Sequence, residues 1–125
     1  MESRSKEYVT DKLQEILECI DIIQQRSHPY ASVNDFLTSP DGMIVLDSCI
    51  LRLQVMGEAV RAIDDETCGT LLSKYPQVRW KDAIGLRNII SHQYANVDYD
   101  IIVDIIQNEL DNIRSTTQKI ISELR

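Results

Sequence analysis

Apolar residues recur at three- and four-residue steps over four long stretches of this chain, and strand-like alternation persists nowhere. That is the period of an α-helix with one buried face, so the fold is restricted to packed helices. The first stretch runs from about Ser5 to Arg26, with Val9, Leu13, Ile16, Leu17, Ile20 and Ile23 in register. It stops before His28 and Pro29, because the residue preceding a proline disfavours helical backbone. Ser32 is placed to cap a short turn over Val33 to Leu37. Ser39-Pro40-Asp41 offers an N-cap, a proline at the first helical position and an acid at the positive helix end. Leu46, Ile50, Leu53, Gly57, Val60 and Ile63 then line one face down to about Asp64.

The linker from Asp64 to Val78 begins polar, contains Leu71-Leu72 and ends in Tyr75-Pro76. Trp80 opens the third helix, which the pattern carries to Tyr94 and ends around Gln93 to Asn96. Asp98 is positioned to cap a fourth, bearing Ile102, Ile105, Ile106, Leu110, Ile113, Ile120, Ile121 and Leu124. Short connections between long amphipathic helices make antiparallel neighbours. The expected fold is all-α: an up-and-down bundle of four long helices with short extra helices. At 125 residues, 43% of them apolar, the chain is expected to form a single domain over 1–125.

The longest apolar run is Met43 to Leu46, too short to cross a membrane, and the first residues lack the apolar stretch of a signal peptide. A cytoplasmic location is the expectation. Cys19, Cys49 and Cys68 lie far apart with only two His in the chain. They read as reduced helical thiols acting as small apolar fillers, with no metal site and no cofactor. His28 reads as a helix-end residue, Trp80 as core, and Glu58 and Arg61 as a surface pair. Gly57 marks a close helix crossing, and Asp64-Asp65-Glu66 is a solvated acidic turn.

A formal charge of −7 opposes general nucleic-acid binding, which needs clustered Lys and Arg. The charge is unevenly spread. Residues 79–94 carry Arg79, Lys81 and Arg87 against Asp82 alone, a positive segment within an acidic protein. At about 100° per residue, with Arg87 at zero, Ser91 falls at roughly 40°, Asn88 at about 100°, His92 at about 140° and Tyr94 at about −20°. Leu86, Ile89, Ile90 and Ala83 take the opposite arc, and Gln93 interrupts it. From Arg87 to Tyr94 the polar arc holds no Asp, Glu or Lys, the usual residues of a solvated face. Instead it joins a permanent cation, a group titrating near neutrality and a phenol. Gly85, near His92 on the wheel, removes bulk where a ligand or another backbone could approach.

Arg87-Asn88-Ile89-Ile90-Ser91-His92-Gln93-Tyr94 reads R-N-x-x-x-H-x-Y. It resembles the signature of the HEPN superfamily, in the branch of HepT-like toxins paired with minimal nucleotidyltransferases. The resemblance extends to Met56-Gly57-Glu58-Ala59, Tyr75-Pro76, Trp80-Lys81 and Ile84-Gly85-Leu86, covering most of the chain from Asp35 onward. It implies a HEPN-like bundle that forms a homodimer with two Arg/His sets at a shared cleft. The implied activity is metal-independent RNA cleavage by 2′-hydroxyl attack, with Arg87 and His92 catalytic and Asn88 supporting. The implied partners are an RNA substrate and a nucleotidyltransferase antitoxin that transfers AMP to Tyr94. No membrane or DNA partner is expected. The alternative is a non-catalytic helical module that binds a nucleotide or the nucleotidyltransferase.

Overall fold

A computed structural model describes the backbone of residues 1–92 and 98–125, and the side chains of residues 1–86 and 98–125. It contains helices α1 (Ser3–Ser27), α2 (Val33–Leu37), α3 (Pro40–Glu66), α4 (Trp80–His92), α5 (Tyr99–Asn108) and α6 (Leu110–Leu124), with a 3₁₀ turn at Leu72–Lys74. Among the described residues there is no strand, and the helices form an all-α, HEPN-like bundle. No described helix is long and apolar enough to cross a membrane.

The anticipated caps are formed. Ser32 Oγ accepts from the Asp35 backbone N–H at 3.2 Å, and Asp35 in turn accepts from the Ala31 N–H at 2.9 Å. Ser39 Oγ accepts from Gly42 N–H at 2.9 Å, one residue before Pro40 at the start of α3. Asp98 Oδ1 accepts from the N–H groups of Asp100 and Ile101. Each cap satisfies donors that the first helical turn leaves without a partner.

α1 and α3 run antiparallel and form the core of the bundle. Val9, Leu13, Ile16, Ile20 and Ile23 of α1 meet Leu53, Met56, Val60 and Ile63 of α3 in one fully buried cluster. Arg26 near the end of α1 donates to Ser48 Oγ near the start of α3 at 3.0 Å. α6 packs along the other side of α1, where Arg114 pairs with Asp21 at 2.6 Å and Gln24 donates to Asp111 at 2.9 Å. α4 lies on α3, with Gly57 buried. Gly42 is required by a close approach that the periodicity does not reveal. A Cβ there would stand 2.4 Å from the Phe36 carbonyl oxygen, so α2 is seated directly on the first turn of α3.

Three local expectations need correction. The fourth helix is two helices, interrupted at Glu109. The apolar period passes through that residue unbroken, so pattern alone joins α5 to α6. In the fold α5 touches α1 and α2 while α6 follows α1, and the interruption lets each bury its own face. α3 continues to Glu66, placing Asp64-Asp65-Glu66 in its last turn, where Arg61 pairs with Asp65 at 3.8 Å. Cys19 and Cys49 are buried fillers, but Cys68 is exposed in the turn after α3 with φ of 52°. Together with Gly69 at 72° it reverses the chain, and a non-glycine residue in that region costs roughly 1–2 kcal/mol.

Candidate functional site

The first turns of α4 follow from a clasp in the linker. Leu71, Leu72, Tyr75 and Val78 are buried, so this stretch is anchored despite its polar beginning. Trp80 is also buried, and its indole Nε1 donates to the Tyr75 carbonyl at 2.9 Å. Tyr75 ties the linker to the last turn of α6, donating its hydroxyl to Glu123 at 3.0 Å. Burial, reinforced by that carboxylate, raises the phenol's pKa. The Trp80 ring is thus a structural anchor that fixes where α4 begins.

From that anchor the helix continues without interruption to His92. Its described side chains divide as the sequence predicts: Ala83 and Leu86 are buried, Lys81 and Asp82 exposed. Arg87, Asn88 and His92 lie on the helical backbone, so the six residues from Arg87 to His92 belong to one helix. Their side chains lie outside the described residues, as does Tyr94 altogether. The wheel positions of these groups therefore rest on the helical register.

Between α4 and the α5–α6 pair lies a cavity of about 580 Å³. Exposed Ile101 and half-buried Ile105 supply apolar surface to it, with the buried Met56, Val78, Leu86 and Ile113 behind them. Arg79, Lys81, Asp104, Glu109 and Asn112 supply polar groups. Gly85 also faces it, and a Cβ added there would meet nothing within 4 Å. The sequence marks Gly85 as a place of access. The carboxylates across from it went unnoticed, because they come from a helix pair some twenty residues further on, with no motif of their own.

Elsewhere, Arg52 sits beside Asp11, Glu15, Glu18 and Cys19 in a second, acidic concavity between α1 and α3. Burial raises the Cys19 thiol's pKa, with the Arg52 charge opposing. Burial pushes the Cys49 thiol up to about 11. Both thiols are held protonated, which suits packing rather than nucleophilic chemistry. Among the described residues, no group of three or more His, Cys, Asp or Glu is arranged to hold a metal ion.

The family described as "Ribonuclease HepT-like" matches residues 16–120, most of the chain. The chain belongs to this family. Among its relatives is "Putative RNase MJ1380" of Methanocaldococcus jannaschii, 30% identical over 68% of this chain and 72% of that protein. "Putative RNase MJ0127" of the same organism is 36% identical over 60% of this chain and 59% of the relative. "Putative RNase TTE0752" of Caldanaerobacter subterraneus is 27% identical over 74% and 76%. The match thus spans little more than half of MJ0127, and 47% of the longer "Gamma-glutamylcyclotransferase and putative RNase MJ0434". No solved structure matches the chain. The family range contains the whole Arg87-to-Tyr94 motif and the residues on both sides of the seam, the cavity between α4 and α5–α6.

Proposed function

We propose that this chain is a metal-independent RNA endonuclease and the toxin of a type VII-like toxin–antitoxin module, acting in the cytoplasm as one HEPN-like domain. The carrying observation is the R-N-x-x-x-H part of the motif, Arg87 to His92, on the unbroken α4 helix of a HepT-like chain. In this reading the RNA 2′-hydroxyl attacks the adjacent phosphorus and the 5′-oxygen leaves. His92 moves the proton, since an imidazole titrates near working pH. The Arg87 guanidinium offers two parallel donors to the phosphoryl oxygens as their charge grows. Asn88 supports by orienting the imidazole or a phosphate oxygen.

A homodimer would bring two such sets to one cleft. Ile44 and Leu51, exposed on α3 one heptad apart, give an apolar row suited to pairing. Silencing is by a cognate minimal nucleotidyltransferase that transfers AMP to Tyr94. Tyr94 follows Arg87 by two turns, about 10 Å along the axis if the helix is continued. A nucleotide on the phenol then brings its phosphate to Arg87 and competes with RNA. The second reading, a non-catalytic module binding a nucleotide or the transferase, is favoured by the net charge of −7.

Cleavage of a labelled single-stranded RNA in the presence of a chelator separates the two. His92→Ala and Arg87→Ala should each reduce the rate about 10²–10⁴-fold with unchanged circular dichroism. Undiminished cleavage by purified His92→Ala removes that residue from the mechanism. Coexpression with the transferase should add AMP to wild type but not to Tyr94→Phe, which should stay toxic. Silencing of Tyr94→Phe would place the control elsewhere.

A further inference from the structure

The cavity between α4 and α5–α6 has the composition of a nucleotide subsite. Its volume, about 580 Å³, lies within the range of sites for small organic ligands. Exposed Ile101 and half-buried Ile105 give it an apolar wall, backed by the buried side chains of Val78, Leu86 and Ile113, which suits the face of a planar heterocycle. Lys81 is an exposed lining residue within reach of a phosphate, while Arg79 beside it pairs with Asp82 of the same lining at 3.8 Å. From the opposite helices come Asp104 and Glu109. A carboxylate accepts from an exocyclic amino group and repels a carbonyl at the same place. Asn108 donates to Asp104 Oδ1 at 2.6 Å, and Asn112 donates to the Gln77 carbonyl at 2.8 Å. The polar edge is therefore held in position before any ligand arrives.

We propose that this cavity binds a nucleotide bearing an amino-substituted base, such as adenine or cytosine, with Gly85 left bare to admit it. The proposal deepens the ribonuclease reading and rests on it for the ligand's source, a base of the RNA strand beside the cleaved phosphate. His92 stands seven residues beyond Gly85, two turns or about 10 Å along the axis, so a base seated here would hold the strand against the catalytic half of α4. A uracil would set a carbonyl against the carboxylates and bind more weakly. A free mononucleotide offers the same chemistry, and the test separates the two sources.

Titration of the labelled protein with 5′-AMP, CMP and UMP, followed by amide shifts, reads the site directly. AMP and CMP should shift Gly85, Leu86, Ile105 and Ile113, with UMP at least tenfold weaker. Gly85→Leu fills the entrance and should remove the shifts without lowering the melting temperature. The double variant Asp104→Asn, Glu109→Gln keeps the shape and should reduce the preference over UMP at least fivefold. Absence of shifts at these residues, or their persistence in Gly85→Leu and an unchanged preference in the double variant, overturns the proposal. In the RNA arm, faster cleavage beside A or C than beside U, lost in Gly85→Leu, identifies the strand as the source. Binding without such a preference assigns the site to the free nucleotide. Cleavage without binding ends the subsite and leaves the ribonuclease; binding without any cleavage does the reverse.

Discussion

The two sides of α3 are packed to different degrees. Toward α1, side chains such as Leu13, Ile16, Leu53 and Met56 are wholly buried, and the helices meet along their length. On the α4 side, Ala83, Leu86 and Trp80 each keep a small exposed fraction, and a cavity separates the helix from α5–α6. Ile101 at the start of α5 is 54% exposed. The first side is built for stability. The second leaves room beside the motif helix, and open space there forgoes contact energy that the α1–α3 core supplies instead.

The contrast is broken most directly by truncating one leucine on each side. Leu53→Ala should destabilise by about 2–5 kcal/mol, through lost transfer energy and an unrelaxed void. Leu86→Ala, which borders existing space, should cost less than half as much. Urea denaturation at unchanged m value measures both, and equal losses would erase the distinction between core and seam.

Two glycines sharpen the same contrast with opposite signs. Gly42→Ala drives a Cβ against the Phe36 carbonyl and should cost about 1–3 kcal/mol as α2 is displaced. Gly85→Ala places its methyl in open space and should stabilise by about 1 kcal/mol or less, from helix propensity alone. A loss of stability in Gly85→Ala would mean that the seam is already filled.

Alkaline pH probes the packed side. The folded Cys49 thiol is raised to about 11 from an ordinary 9.0, so the unfolded chain releases its proton first. Its contribution to stability is complete below pH 9 and falls as pH rises toward 11. By pH 10 the loss should be about 1 kcal/mol. Cys49→Ala should show a shallower decline over that range, and identical slopes would exclude the thiol as the cause. Exposed Cys68 should react first with an alkylating reagent, before Cys19 or Cys49.

Much of the molecule was legible from residues alone. Spacing of apolar positions located the helices, because a 3.6-residue period is a local property of the chain. Ser32, Ser39 and Asp98 announced helix starts, since a cap needs only its own next three residues. The R-N-x-x-x-H-x-Y pattern pointed to a family, and the family match over residues 16–120 bears that out. Other features depend on which helices meet. The interruption at Glu109 leaves no mark on the period, and Gly42 is explained only by α2 resting on it. The exposed turn at Cys68 follows from where α3 stops. The cavity is the clearest case: Gly85 and Lys81 on one helix face Asp104 and Glu109 on others. Helical period specifies which face each segment buries, but the gap between two helices is set by how both pack against third partners, and that is decided in three dimensions.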